Sequence, residues 1–174
     1  AQELFSANNQ KFNFGFTATD SLLSNNYAPP YGNELIRSNA KYRDSGAWYH
    51  VVTVWDTTNS TADDRMRLYV NGEQVTSMQS RTNPALNLEG EVNTATEHTV
   101  GSRSNTTSWL DGYLAEVHFI DGTALDASSF GETDAATNQW KPIEATGLTY
   151  GTNGFYQKYS STELANSFED SAEG

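Results

Sequence analysis

The sequence predicts an all-β sandwich with at most one short helical turn, and three observations support this prediction. Short runs with two-residue alternation recur along the 174 residues, turn-forming residues separate them, and no strand–helix–strand alternation is visible. Charged residues make up only 18% of the chain, and much of the polar remainder is Ser, Thr, Asn and Gly, which disfavour long helices. The length fits one domain over residues 1–174.

Aromatic residues near the N-terminus predict the first clear strand. Phe12, Phe14 and Phe16 are spaced by two, which places three rings on one face. The next predicted elements are a strand from Leu22, a loop over 25–32 and a short edge strand over 34–37.

The middle of the chain contains the strongest strand pattern. Residues 48–55 are apolar on both faces, which predicts a central strand covered on both sides. A polar loop over 56–64 leads to a strand over Met66–Val70. Asn71-Gly72 then predicts a type I′ hairpin, because both of its central residues need positive φ.

The second half of the chain has weaker patterns. The predicted elements are a long loop with an embedded strand over 77–97, a strand over 98–102, a long strand over 110–120, one helical turn over 125–131 capped by Asp126, and a last strand over 155–159. In the long strand, Tyr113, Val117 and Phe119 are expected to point into the core, with Glu116 and His118 on the opposite face.

The charge of the chain excludes several classes of partner. The 22 acidic and 10 basic residues give a formal charge of −12, which repels nucleic acids and anionic membrane surfaces. Cysteine is absent, so disulfides and thiolate metal sites are excluded, and no apolar run is long enough for membrane insertion. The first residues resemble the interior of a chain, so we expect a fragment or one domain of a longer polypeptide.

Four motifs occur in order between residues 48 and 131: WYHVVTVWD at 48–56, RLYVNGEQV at 67–75, TVGS at 99–102 and DGYLAEV at 111–117. This ordered set resembles the laminin-G-like branch of the concanavalin A-like lectin/glucanase family. The resemblance implies a jelly roll of two packed antiparallel sheets, one of them concave.

A second set of segments lies at 112–122, 130–133, 140–142 and 151–156. This set resembles a domain that recurs in structural proteins of tailed bacteriophages, especially marine ones. This resemblance implies a virion protein that acts outside the cell, with other virion chains as partners and a homo-oligomeric state.

Loop aromatic residues are the first candidates for ligand binding. Tyr27, Tyr31, Trp109 and Trp140 lie in polar, loop-like surroundings, where a ring can stack on a sugar. The alternative is that each ring packs over its own loop. Glu116 and His118, two residues apart on one predicted strand face, are further candidates.

Glutamate 116 also decides the prediction about catalysis. The superfamily's glucanases place two carboxylates on one concave-sheet strand, and a retaining mechanism needs them about 5 Å apart. Here the comparable strand offers only Glu116. We therefore expect that the protein is not an enzyme, with a glycoside hydrolase as a distant alternative.

Aspartates near strand ends are candidates for calcium binding. The resemblance implies a calcium site at a loop rim, and the candidates are Asp56, Asp63, Asp64 and Asp111. Each of them alone is more often an ordinary turn residue or cap, and this alternative is favoured. The three histidines lack the spacing of a zinc site.

These observations favour a lectin-like function. We expect a non-enzymatic domain of a phage virion or tail protein that binds a glycan or host-surface polysaccharide through a loop rim or the concave face. The alternative is a purely structural decoration or fibre module that acts through protein contacts.

Overall fold

The computed structural model describes residues 1–28, 32–104, 107–159 and 169–172, and it confirms the all-β prediction. The strands of this part of the chain are β1 (Gln2–Ala7), β2 (Phe12–Phe16), β3 (Leu22–Ala28), β4 (Gly32–Ser38), β5 (Val51–Trp55), β6 (Met66–Val70), β7 (Glu73–Gln74), β8 (Met78–Thr82), β9 (His98–Val100), β10 (Val117–Phe119), β11 (Gly131–Thr133), β12 (Trp140–Pro142) and β13 (Phe155–Gln157). Two 3-10 turns, Ala62–Asp64 and Ala127–Ser129, are its helical elements, and no described helix is long and apolar enough to cross a membrane.

One six-stranded antiparallel sheet dominates the architecture, in the order β8-β4-β3-β2-β1-β9. A three-stranded sheet, β5-β6-β7, packs against it. Two small pairs, β10-β13 and β11-β12, complete the described strands.

The main core lies between the six-stranded and three-stranded sheets. Phe12, Phe14 and Leu22 of the first sheet meet Met66 and Leu68 of the second, and all five side chains are buried. Alternation sends every second side chain of β2 and β3 toward this core and the others to the opposite face.

The three-stranded sheet is covered on its other face as well. Val54 and Tyr69 are buried there with Ala127, and Trp140 packs against them. The predicted cover on both faces is therefore confirmed for Val51–Trp55. The predicted bounds of 48–55 and the central position are wrong, because β5 begins at Val51 and lies at the end of its described sheet, and Trp48 is 67% exposed.

Local signals predict several elements well. The strand Met66–Val70 has the predicted bounds. Asn71 and Gly72 have φ of 48° and 85°, as a type I′ turn requires, and Val70 pairs with Glu73 across it. Asp126 caps the 3-10 turn by accepting a hydrogen bond from Ser128 N.

Three predictions about elements are wrong. The long strand predicted over 110–120 is limited to Val117–Phe119, because the φ of 55° at Glu116 interrupts the extended backbone. Tyr113, which was expected to point into the core, is 87% exposed. Of the predicted loop over 25–32, residues 25–28 belong to β3, Gly32 begins β4, and 29–31 lie outside the described residues. The predicted edge strand at 34–37 belongs to β4, which lies between β3 and β8.

Candidate functional site

The six-stranded sheet presents a polar surface on the side opposite the core, which we call the outer face. Directly paired residues share a face, so the register shows which side chains lie together. One row crosses all six strands: Thr99, Ser6, Asn13, Asn25, Leu35 and Thr82. The other strand residues of this face are Glu3, Gly15, Leu23, Tyr27, Asn33, Arg37 and Ser80.

The segment after β9 covers one end of the outer face. Ser6 Oγ donates a hydrogen bond to the Ser102 carbonyl at 3.2 Å, and Ser104 N donates one to Ser6 Oγ at 3.4 Å. Ser6 and Asn13 are consequently buried, whereas Asn25 on the next strand is half-buried. The open part of the face therefore lies over β3, β4 and β8, with this segment as a wall at the β1 end.

Glu3 is a buried carboxylate at the walled end of the face. Arg103 Nη2 lies 3.2 Å from Glu3 Oε2, while Oε1 is shielded from solvent and has no hydrogen-bond partner. Burial raises the pKa of Glu3, and the Arg103 charge and hydrogen bond oppose that rise. The pair fixes the wall segment onto β1.

Two further polar atoms of the outer face have no partner. Asn13 donates its amide to the Gln10 carbonyl at 2.7 Å, but its Oδ1 is buried without a hydrogen bond. The Nε of Arg37 is likewise shielded and unpaired. Buried polar groups normally find partners. Three of the six buried side-chain atoms without a partner among the described residues belong to the outer face, and the others belong to His50, Arg67 and Trp140.

Tyr27 is the aromatic residue of this face, at the end of β3. Its side chain is 52% exposed, and the register pairs it with Asn33. The structure therefore brings one predicted ligand-binding residue beside the amides of Asn25 and Asn33. Tyr31, another predicted ligand-binding residue, lies outside the described residues.

Comparison with known families identifies the fold. The family model described as the concanavalin A-like lectin/glucanases superfamily matches residues 1–129, about three quarters of the chain. The chain belongs to this superfamily. The match includes every residue of the outer face and its wall. Comparisons with curated proteins and with solved structures give no match.

The two predicted tryptophans of this concanavalin A-like domain have different surroundings. Trp109 is 59% exposed and follows Ser108, whose carbonyl accepts a hydrogen bond from Glu3 N at 3.2 Å. It therefore borders the outer face at the β1 end. Trp140 lies in β12, where its ring packs over Gly72 and Gly131, so the expected polar loop surroundings are wrong and Trp140 has a packing role.

Glu116 and His118 form a separate cluster with two tyrosines. The hydroxyl of Tyr156 donates to the Glu116 carboxylate, and the Tyr156 ring stacks on His118 with centroids 4.1 Å apart. His118 Nδ1 lies 2.8 Å from the Tyr150 hydroxyl. Burial lowers the pKa of His118 to about 4, with Glu116 opposing, so the imidazole is neutral at neutral pH.

This cluster gives Glu116 and His118 structural partners. Glu116 precedes β10 and has a left-handed backbone conformation, so it is not part of the strand that contains His118. The prediction that the two side chains share one face of a strand is therefore wrong. The carboxylate of Glu116 faces a tyrosine whose pKa is raised by burial and by Glu116 itself. A tyrosine with a raised pKa is a poor general base at neutral pH.

The four predicted calcium ligands do not converge in the described structure. Asp56 accepts hydrogen bonds from Thr58, and Asp63 bonds to Asn83 at 2.6 Å and lies 3.3 Å from Arg81. Asp64 shares the 3-10 turn of Asp63, and Asp111 is exposed. Among the described residues, no group of three or more His, Cys, Asp or Glu side chains is placed to hold a metal ion. Calcium binding remains a prediction.

A large cavity lies elsewhere, between the layers. It has a volume of about 1460 Å³, and side chains of the core such as Phe12, Phe14 and Phe16 form part of its walls. The segment Leu110–Glu116 borders it on the other side. Polar side chains also border this space, among them Asp56, Asp111, Glu116 and His118 of the predicted site residues.

Proposed function

We propose that this domain is a non-enzymatic, lectin-like module that binds a carbohydrate on the outer face. The observation that supports the proposal is the exposed ring of Tyr27 beside the amides of Asn25 and Asn33 on one sheet surface. Rings bind the apolar face of a sugar, and amides bond its hydroxyls, so this combination suits a saccharide.

The dimensions of the face suit an oligosaccharide. Adjacent strands lie about 4.8 Å apart, so the open surface over β3, β4 and β8 is about 10 Å wide between its outer strands, and the whole sheet is about 24 Å wide. Hydroxyl groups of Ser80 and Thr82 extend the polar surface to the open edge. A chain of sugars could lie across the strands, with the wall segment limiting its position.

A glycan-binding screen tests the proposal. We expect selective binding of the folded domain to one class of glycan, without release of hydrolysis products. Tyr27→Ala should weaken that binding at least about tenfold, since it removes a stacking contact. The control is Tyr113→Ala, because Tyr113 is an exposed tyrosine that lies outside the outer face.

Three outcomes would contradict parts of this proposal. A folded domain that binds no glycan would remove the lectin-like function, and equal losses in the two tyrosine variants would remove the outer face as the site. Hydrolysis of a bound glycan would show an enzyme. The same screen with a chelator tests the calcium proposal for Asp56, Asp63, Asp64 and Asp111.

A structural virion module is the second candidate. β8 pairs only with β4, so its other edge is open within the described chain, and open edges are sites for pairing with another chain. The phage origin, the extracellular location on a virion and the homo-oligomeric state rest on the sequence resemblance of segments 112–122, 130–133, 140–142 and 151–156. Self-association measured by light scattering, together with an absence of glycan binding, would favour this candidate.

A further inference from the structure

Nearly all basic residues of this acidic protein have a partner within the described chain. Five take part in ion pairs (Lys11, Arg43, Arg81, Arg103 and Lys141), two donate hydrogen bonds (Lys41 and Arg65), and Lys158 lies over the ring of Tyr156. Arg37 and Arg67 differ, because each has a buried Nε with no hydrogen-bond partner and no ion pair. Of these two, Arg37 belongs to the outer face.

Arg37 lies on β4, the middle strand of the open part of the outer face, four residues or about 13 Å along that strand from Asn33, which pairs with Tyr27. It pairs with Leu23 on β3 and with Ser80 on β8, and Leu35 is the next residue of β4 on the same face. All four side chains are partly buried. Apolar neighbours reduce the local screening by water, so an anion that meets Arg37 here is bound more strongly than at an open surface.

The charge on the outer face has the opposite sign to that of the whole chain. Its charged strand residues are Glu3 and Arg37, and the pairing Glu3–Gly15–Leu23–Arg37 places them three strands, about 14 Å, apart. Arg103 already neutralises Glu3. The open part of the face therefore carries one uncompensated positive charge, in a protein with a formal charge of −12.

We propose that the saccharide bound on the outer face is acidic and that its carboxylate or sulfate ester pairs with Arg37. This inference rests on the proposed carbohydrate-binding function. A guanidinium group offers a planar fork of donors that matches two anionic oxygens, and hydroxyl groups of Ser80 and Thr82 lie on the neighbouring strand to bond the same substituent.

The negative charge of the rest of the protein limits the size of the ligand. At physiological ionic strength the screening length is about 8 Å, so remote carboxylates act weakly on an anion held at Arg37. A long polyanion would extend beyond this face and meet the acidic remainder of the surface. Short acidic oligosaccharides should therefore bind better, per chain, than long ones.

The test uses matched acidic and neutral probes with the whole chain. Oligosaccharides of polygalacturonate are compared with their carboxyl-reduced forms, and those of chondroitin sulfate with their desulfated, carboxyl-reduced forms. We expect at least one acidic probe to bind about tenfold or more tightly than its neutral counterpart. Arg37→Gln should weaken that binding by about 10- to 100-fold, and Arg37→Lys should weaken it less.

Arg67→Gln provides the matched control. Arg67 also has a buried, unpaired Nε, but it lies on β6 opposite Val54, away from the outer face. It should leave affinity for the acidic probe unchanged. Thermal unfolding of each variant checks that it is folded, and salt dependence of the wild-type protein gives a measurement that needs no variant, because only the acidic probes should lose affinity as salt rises.

The results separate this inference from the proposed function. Equal affinity for acidic and neutral probes, with binding still lost in Tyr27→Ala, would overturn the acidic specificity and leave the lectin-like function standing. Equal losses of affinity for the acidic probe in Arg37→Gln and Arg67→Gln would likewise overturn the role of Arg37 and leave the lectin-like function standing. Failure of every acidic and neutral glycan to bind would overturn both.

Discussion

Glu3 is a buried carboxylate whose ion-pair partner among the described residues is Arg103, with a backbone hydrogen bond from Phe14 and the N-terminal charge as further support for its ionised form. In Arg103→Ala, a buried charge would lose its counter-ion, and we expect a loss of about 2 kcal/mol in the free energy of unfolding at about pH 7.5. The loss should shrink at about pH 4.5, because the raised pKa of Glu3 allows the carboxyl to become neutral there. Urea unfolding at both pH values measures the difference.

The control for this prediction is Glu3→Gln. In the Glu3→Gln background, Arg103→Ala should cause a much smaller loss in the free energy of unfolding at about pH 7.5, because no buried charge is left without its counter-ion. An equal loss at both pH values, or in both backgrounds, would show that Arg103 stabilises the wall segment by packing alone.

His118 makes the stability of the fold dependent on pH. Its folded pKa of about 4 lies below the ordinary 6.5, so between these values the unfolded chain binds a proton that the folded chain does not. The contribution of neutral His118 to the free energy of unfolding is therefore complete above about pH 6.5 and is lost as the pH falls toward 4. We expect His118→Phe, which retains a ring against Tyr156, to flatten this part of the pH profile.

Thermal unfolding at a series of pH values between about 7.5 and 4.5 checks the histidine prediction. His50, whose pKa is also lowered by burial, should leave a residual slope in the His118→Phe protein. A profile of unchanged slope in that variant would show that His118 is not the titrating group.

At the scale of elements, the Asn71-Gly72 turn depends on its backbone conformation and also on close packing against the Trp140 ring. Gly72 has a φ of 85°, and a Cβ atom there would collide with the Trp140 ring of β12. Gly122 has a similar φ of 89°, but a Cβ atom would meet nothing within 4 Å. Gly122→Ala should cost about 1 kcal/mol from backbone strain, and Gly72→Ala should cost about 1–3 kcal/mol more from overpacking.

Chemical unfolding of the two alanine variants measures this difference. Combining Gly72→Ala with Trp140→Leu should recover part of the extra loss, since the smaller side chain leaves room for the new methyl group. Equal losses in the free energy of unfolding for Gly72→Ala and Gly122→Ala would indicate that β12 moves away from the new methyl group without loss of stability.

The same turn shows why some elements could be predicted from the sequence. The Met66–Val70 strand and its hairpin depend on neighbouring residues alone, so local propensity is sufficient. β1 was not predicted, because a bulge between Glu3 and Phe5 breaks its alternation. The predicted 110–120 strand is much shorter because its central residues lack a neighbouring strand among the described residues.

The candidate site was predictable only in part for a related reason. An exposed, loop-like aromatic singled out Tyr27, and the outer face contains it. Asn25, Arg37 and Arg103 gave no local signal, because only the pairing of β3, β4 and β1 with distant partners places them on one surface. Trp140 illustrates the opposite error. Its polar neighbours in the sequence suggested an exposed ring, whereas the folded chain packs that ring against the second core cluster.

At the scale of the whole molecule, stability should be distributed unevenly between the layers. β2 and β3 are paired on both sides and carry the main core, whereas the segment Gly112–Ala115 forms no strand and borders the cavity of about 1460 Å³. Amide exchange follows local opening, so we expect the slowest exchange in β2 and β3, intermediate exchange in Val117–Phe119, and the fastest at Gly112–Ala115. Hydrogen–deuterium exchange with mass spectrometry measures this order. Protection of Gly112–Ala115 equal to that of β2 would contradict it, and would mean that this segment is hydrogen-bonded in solution. The edge of β5 that has no neighbour among the described strands would then be a candidate partner.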